Sequence, residues 1–189
     1  VKNRRCSHCK KKGPQEEMLL RQLKAFCGTN CFAEWAAANV SKLAKKGRQI
    51  ESKIHKAKKE SLKTKGEHLR EAQTAFNAYI RLRDAEEPCI SCGKFHTGQY
   101  HAGHYRSVGS SPELRFEPLN NHKQCAPCNN HLSGNLIKYR INLIEKIGLE
   151  KVEWLEGPHE PKRYTIEQIK EIKVHYRKRV REMQKQKAA

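Results

Sequence analysis

Eight cysteines fall in four close pairs, and their spacing is the strongest chemical signal in the sequence. The pairs are Cys6 with Cys9, Cys27 with Cys31, Cys89 with Cys92, and Cys125 with Cys128. Two or three residues between paired thiolates let a tight knuckle offer both to one tetrahedral ion. Joining adjacent pairs gives two complete four-thiolate sites, with 17 and 32 residues between their halves. A disulfide framework is the rival reading. A Lys-rich chain without a recognisable secretory signal is expected in a reducing compartment, where thiolates meet zinc instead. Two structural Zn²⁺ sites are therefore expected, which would shape the fold and by themselves say nothing about function.

A second set of residues surrounds the later cysteines. His101 and His104 flank Gly103, Asn120-Asn-His122 precedes Cys125, and Asn129-Asn-His131 and Ser133-Gly-Asn135 follow Cys128. A zinc site with four thiolates needs no imidazole. Taken singly, each histidine reads as a surface or turn residue of a basic protein. Taken together they offer groups for proton transfer and for holding a metal ion. A neutral imidazole can take a proton from water near pH 7, and an amide oxygen suits a hard ion such as Mg²⁺ or Mn²⁺. Arg106, Arg115 and Arg140 lie close enough in sequence to clamp a phosphate.

These residues must be positioned by short elements. The 189 residues are 37% hydrophobic and 31% charged, which argues against a single large core. The glycines Gly98, Gly103 and Gly109 are consistent with a hairpin and a wide loop between the later pairs. After Cys128, apolar residues Leu136, Tyr139, Leu143, Ile144 and Ile147 recur at helical spacing, stopped by Gly148. A last helix is expected from Thr165, with Gln168 completing a capping box. Residues 33–84 read as helix, with breaks expected near Gly47 and Gly66. Their apolar stripe, from Val40 through Tyr79, is narrow enough for a coiled-coil seam. The expected fold is mainly α with small β hairpins (α+β). Four segments are expected: a four-cysteine unit over 1–32, a long basic helical region over 33–87, the second cysteine unit over 88–157, and a C-terminal basic helix over 158–189.

The charge names a class of partner. Lys and Arg number 39 against 20 Asp and Glu, a net +19. An excess of that size points to a polyanion. No run of about 18 apolar residues exists to span a membrane, and nothing resembles an amphipathic lipid-binding helix, so nucleic acid is the expected partner. Between Ser41 and Lys65 there are ten Lys or Arg and two Glu. A charge run is often only a solvated face; here its single sign marks Lys45, Lys46, Arg48, Lys53 and Lys56 as a phosphate-tracking arm.

The order Cys-x2-Cys, Gly-His, an Asn five residues before the next Cys-x2-Cys, and an Asn directly after it resembles the His-Asn-His nuclease motif. That resemblance implies a ββα-metal unit with His104 as general base, Asn120 tying the loop that holds it, and Asn129 as a ligand for a catalytic Mg²⁺ or Mn²⁺. Such sites usually place Asp beside the base, where this chain has Gly103; His101 is the candidate for the missing ligand, with His131 a further one. A narrower resemblance covers most of the chain. Phe76-Asn-Ala-Tyr-Ile-Arg-Leu-Arg-Asp84, Pro88-Cys-Ile-Ser-Cys-Gly93, Ala102-Gly-His-Tyr105, Leu114-Arg-Phe116, His122-Lys-Gln-Cys125 and Ser133-Gly-Asn-Leu136 are similar to blocks of the NinG (Rap) recombination family of lambdoid phages. This implies a phage- or prophage-encoded, structure-specific DNA endonuclease in the bacterial cytoplasm, acting on Holliday junctions and D-loops. A homodimer would suit a two-fold symmetric junction. Two other classes fit the composition: a non-catalytic double-zinc protein that binds DNA or RNA, and an assembly factor organised by its zinc sites. Only the nuclease accounts for His104, Asn120 and Asn129 together.

Overall fold

The computed structural model describes residues 2–21 and 23–188. The chain forms two compact units, divided in sequence between Leu62 and Lys63.

In the first unit, β1 (Asn3–Arg5) pairs antiparallel with β2 (Lys12–Pro14), and β3 (Leu19–Arg21) with β4 (Lys24–Phe26). Hairpins of three-residue strands bury too little to be stable alone. Here they gain a small aromatic centre. Phe26 is fully buried, its ring 5.3 Å from Phe32 and 5.5 Å from Trp35 of α1 (Thr29–Ala38). Helix α2 (Val40–Ser61) then carries the basic run and buries none of its residues.

The second unit begins with α3 (Lys65–Arg83). Strands β5 (Tyr100–His104) and β6 (Asn121–Cys125) form an antiparallel hairpin, registered from Tyr100 opposite Cys125 to His104 opposite Asn121. A single π-helical turn, Pro127–His131, leads to α4 (Leu136–Ile147), α5 (Leu149–Glu156) and α6 (Ile166–Ala188). Two apolar clusters hold these elements. Ala72, Phe76 and Ile80 of α3 pack with Phe116, Tyr164, and Ile169 and Tyr176 of α6. Tyr139 and Leu143 of α4 pack with Val152 and Leu155 of α5, and with Ile90 and Leu114. Phe76 joins the first cluster through edge-on contacts to Phe116 and Tyr176, at 5.8 and 4.8 Å.

Several expectations are met. The hairpin and its wide loop form, α4 stops at Gly148 with φ 89°, and Thr165 and Gln168 make both bonds of the capping box. Others are corrected. The helix read over 33–84 is three helices, and Gly47 lies inside α2 rather than at a break. The breaks occur where side chains compete for the backbone. Asn39 donates to Trp35 O at the end of α1, and Thr64 and Glu67 form a capping box that opens α3. The apolar stripe over 40–79 is likewise not one seam. Ala72 and Phe76 are core residues, whereas Val40, Leu43, Ile50 and Ile54 are exposed. The 33–87 segment is divided between the two units, and the C-terminal helix packs on α3 as part of the second. Helix α5 was not foreseen; Gly148 reverses the chain and starts it at once. Among the described residues no helix is long and apolar enough to cross a membrane.

Phe76→Ala should destabilise the second unit by about 3–5 kcal/mol, the usual cost of emptying a buried aromatic site. Urea unfolding followed by circular dichroism measures it.

Candidate active site

Each cysteine set converges as its spacing requires. Cys6, Cys9, Cys27 and Cys31 form one cluster and Cys89, Cys92, Cys125 and Cys128 the other, the sulfurs of each within 4.8 Å of one another. Tetrahedral zinc with Zn–S of about 2.3 Å requires sulfurs about 3.8 Å apart. The Cys9–Cys27 and Cys92–Cys125 sulfurs are 3.4 and 3.9 Å apart, so either cluster could hold such an ion. The two knuckles share a backbone design. Cys6 and Cys89 N–H groups donate to Lys11 and Lys94 carbonyls five residues on, and Lys10 and Gly93 N–H groups return to Cys6 and Cys89. Lys10 and Gly93 accordingly adopt the left-handed conformation, with φ of 66° and 65°. Sulfurs so close resist joint ionisation: hydrogen bonds with Cys9 and Cys6 push Cys27 up to about 12, and burial does the same to Cys125. A cation among them removes that penalty.

The second cluster is built into the hairpin. Cys125 ends β6, its N–H donates to Cys89 Sγ, and the Ile90 N–H donates to Lys123 O. Cys128 lies in the π-helical turn, and Asn135 Nδ2 reaches its sulfur at 3.7 Å. Three successive residues, Ser133, Gly134 and Asn135, then have positive φ (49°, 87° and 47°). Left-handed backbone at Ser133 and Asn135 is costly, and such residues gather at functional sites.

Beside this turn an open cleft of about 370 Å³ is lined by His104, Arg106, Asn129, Ser133 and Gly134, among others. His104 Nε2 lies 3.1 Å from Arg115 O. A carbonyl only accepts, so Nε2 carries the proton and Nδ1 holds the lone pair of the neutral ring. Burial lowers the His104 pKa below its ordinary value, favouring that neutral form. Asn129 Nδ2 donates to Asn130 Oδ1, leaving Asn129 Oδ1 as an acceptor for other groups. Asn120 is fully buried and ties the loop across the hairpin. Its Oδ1 accepts from Arg106 N, and its Nδ2 donates to the carbonyls of Arg106 and Leu114. Arg106 Nε is buried without a hydrogen-bond partner.

The remaining candidates fall elsewhere. His101 does not line the cleft; three positions from His104 on a regular strand, it belongs to the opposite face. His131 is exposed at the end of the π turn and also lies outside the cleft lining. Arg115 contributes its carbonyl, while its Nε donates to Gln73 Oε1. Arg140 makes a two-pronged pair with Glu156 at 2.7 and 3.0 Å, and so spends its charge within the fold. Lys45, Lys46, Arg48, Lys53 and Lys56 are all exposed on α2.

Sequence reasoning missed a buried polar network behind the hairpin. Asp84, 2% exposed, accepts from Arg83 Nε at 2.7 Å and Nη2 at 2.8 Å, and from Lys123 N at 3.0 Å. Lys146 Nζ is 3.4 Å from the same carboxylate. Burial alone would raise the Asp84 pKa, but the Arg83 bonds outweigh it and hold the group well below the usual range. His122 Nε2 faces Leu119 O, and Nδ1 faces Arg83 Nη2, which can only donate. Nδ1 also lies 3.5 Å from Asp84 Oδ2, and burial outweighs that carboxylate to lower the His122 pKa, which favours the neutral ring. Gln124, fully buried on β6, was missed too. The legible signal for both was the strand itself, in which polar Asn121–Gln124 sit where an apolar run would be expected.

A family model described as "Bacteriophage Lambda NinG protein" matches residues 1–186. Over 128 residues, 68% of this chain, it is 45% identical to "Protein ninG" of Salmonella phage P22 and 46% identical to that of Escherichia phage lambda. The protein of the same name from Escherichia phage 933W is 44% identical over the same length. The matched region spans 63% of the P22 and lambda proteins. No solved structure matches.

Asp84→Ala should cost up to about 3–5 kcal/mol, because it removes a buried carboxylate that balances the half-buried Arg83 and accepts the Lys123 N–H. A carboxylate whose folded pKa is depressed contributes fully above its unfolded value, about 3.9, and progressively less as pH falls below it. The variant should therefore show a flatter acid limb in melting temperature between about pH 5 and pH 2 than the wild type.

Proposed function

The chain belongs to the bacteriophage lambda NinG protein family, and from that membership and the shared cleft of His104 and Asn129 we propose that it is a divalent-metal-dependent DNA endonuclease nicking branched recombination intermediates. The hairpin β5–β6 and the segment from Pro127 through α4 are read as a ββα-metal unit of the His-Asn-His type. Both cysteine clusters are read as structural zinc sites. The observation that carries the proposal is the pairing, in one cleft, of an imidazole with its Nδ1 lone pair available and an amide oxygen.

His104 Nδ1 takes the proton of the attacking water. Arg115 O keeps the opposite nitrogen protonated, so the ring stays in the tautomer that can act as a base. Asn120 holds the loop at Arg106 and Leu114, and so fixes the distance between His104 and the rest of the cleft. Asn129 would hold the divalent cation through Oδ1, and that ion offsets charge developing on the phosphate and leaving oxygen when bound. Arg106 adds a cationic group at the cleft wall. The exposed lysines of α2 track the phosphate backbone, and its exposed Val40, Leu43, Ile50 and Ile54 offer a seam for a second copy. The setting proposed is the cytoplasm of an infected bacterium.

The test uses a labelled four-way junction and a matched linear duplex, with Mg²⁺, Mn²⁺ or EDTA. The wild type should nick the junction only with metal and cut the duplex poorly. His104→Ala should bind the junction normally but cut about 10²–10⁴-fold more slowly. Cutting in EDTA, or full activity in the variant, overturns the mechanism; binding without cutting under all conditions leaves a nucleic-acid-binding protein. Because burial lowers the His104 pKa, the base form persists into mild acid. The rising limb of kcat/KM against pH should therefore have its midpoint below 6.5, the ordinary histidine value. Light scattering should report a dimer, and Ile50→Lys with Ile54→Lys should return it to monomer.

A further inference from the structure

Phe95 is held open to solvent by a loop whose neighbouring residues are tied down. It is 70% exposed, whereas Phe26, Phe76 and Phe116 are buried and Phe32 is half-buried. It lies between the Cys89–Cys92 knuckle and β5. On one side, Gly93 takes the left-handed conformation, with φ of 65°, and the Lys94 carbonyl accepts from Cys89 N. On the other, His96 N donates to Tyr100 Oη at 2.6 Å, and His96 Nε2 lies 3.2 Å from Cys92 Sγ. Lys123 Nζ donates to Ala85 O at 2.7 Å, and stands 4.4 Å from the Tyr100 ring and 5.9 Å over that of Phe95. The backbone is thus fixed on both sides of Phe95, while its ring projects from the knuckle.

A single exposed apolar residue needs no explanation by itself. This one is set apart by its pinned loop, by the Lys123 cation over its ring and by exposed Lys94 beside it. A π-face of fixed orientation with cationic neighbours is what an unpaired nucleobase stacks on, its phosphates meeting the charge. Fixing the loop in advance lowers the ordering cost of binding. A protein partner would need an apolar patch around the ring, but the exposed neighbours are Lys94, Thr97, Gly98 and Gln99. We propose that Phe95 is a stacking platform for an unpaired base of branched or gapped DNA. The inference rests on DNA as the partner in the proposed function, and not on cutting. The interior of a duplex offers no free base face, whereas branch points and gaps do, so the platform selects them. It shares a strand with the cleft: the loop enters β5 at Tyr100, and His104 ends that strand about 13 Å further on.

The experiment compares binding of a gapped duplex and an intact duplex of the same sequence to the full chain, without added Mg²⁺ or Mn²⁺. Fluorescence anisotropy gives each affinity, with zinc content and circular dichroism as controls for folding. Phe95→Ala should weaken binding of the gapped duplex about 5- to 100-fold, the range for loss of a base–aromatic stack, and leave the intact duplex unchanged. Phe95→Trp should keep the wild-type preference. With 5-iodouracil in the gap, long-wave ultraviolet light should crosslink the wild type at Phe95. Unchanged affinity for the gapped duplex in a folded Phe95→Ala, an equal loss on both DNAs, or a crosslink mapped only to other residues overturns the platform. A wild type that binds neither DNA overturns it together with the proposed function. Gap preference that depends on Phe95, in a protein that nicks nothing when Mg²⁺ or Mn²⁺ is supplied, supports the platform and overturns the nuclease reading alone.

Discussion

The candidate site depends on the convergence of Cys89, Cys92, Cys125 and Cys128. Hydrophobic burial cannot assemble this region by itself, because β6 consists of buried polar residues, Asn121 to Gln124, before it reaches Cys125. A five-residue hairpin of such composition has little driving force to form. The sulfur cluster joins the loop after α3, the end of β6 and the π-helical turn at a single point. Helix α4 then reads the same framework through backbone acceptors: Tyr139 Oη donates to Gly103 O, and Asn142 Nδ2 to Ile90 O. The apolar cluster of α4 and α5 supplies the free energy that the hairpin lacks.

The positive charge of the chain serves two ends, which composition cannot separate. Arg83, Lys146 and Arg140 are engaged by Asp84 and Glu156, and Lys123 Nζ donates to Ala85 O while lying 4.4 Å from the Tyr100 ring. These cations hold the second unit together. The lysines of α2 lie on a helix that buries none of its residues, and in the proposed function they are the groups that meet the nucleic acid. Arg106 stands between, at the cleft wall with Nε buried and unpartnered.

Features encoded within a few residues were legible in the sequence. The cysteine pairs, the Thr165–Gln168 box and the Gly148 stop all act over one to four residues, and all are found. The break expected near Gly66 is found close by, but the Thr64–Glu67 box that makes it was missed. The apolar residues between Val40 and Tyr79 have two fates: Ala72 and Phe76 are covered by α6 within the second unit, whereas Val40, Leu43, Ile50 and Ile54 of the first are exposed. Pairs such as Asp84 with Lys123 N, or Arg140 with Glu156, join residues 39 and 16 positions apart. Neither partner's local sequence specifies the other, so only the folded chain reveals them. Asn120 was singled out through its offset to Cys125 in the motif it resembles, whereas its three bonds to Arg106 and Leu114 had no local signal.

The overlap between a hypothetical Gly103 side chain and Gln124 makes the two positions a compensated pair across the strands. Even a methyl group at 103 would collide with the amide, so a larger residue there is admissible only in a chain whose residue 124 is shorter. Transplanting one half of the pair between homologues would damage the recipient, whereas exchanging both together would preserve the shape.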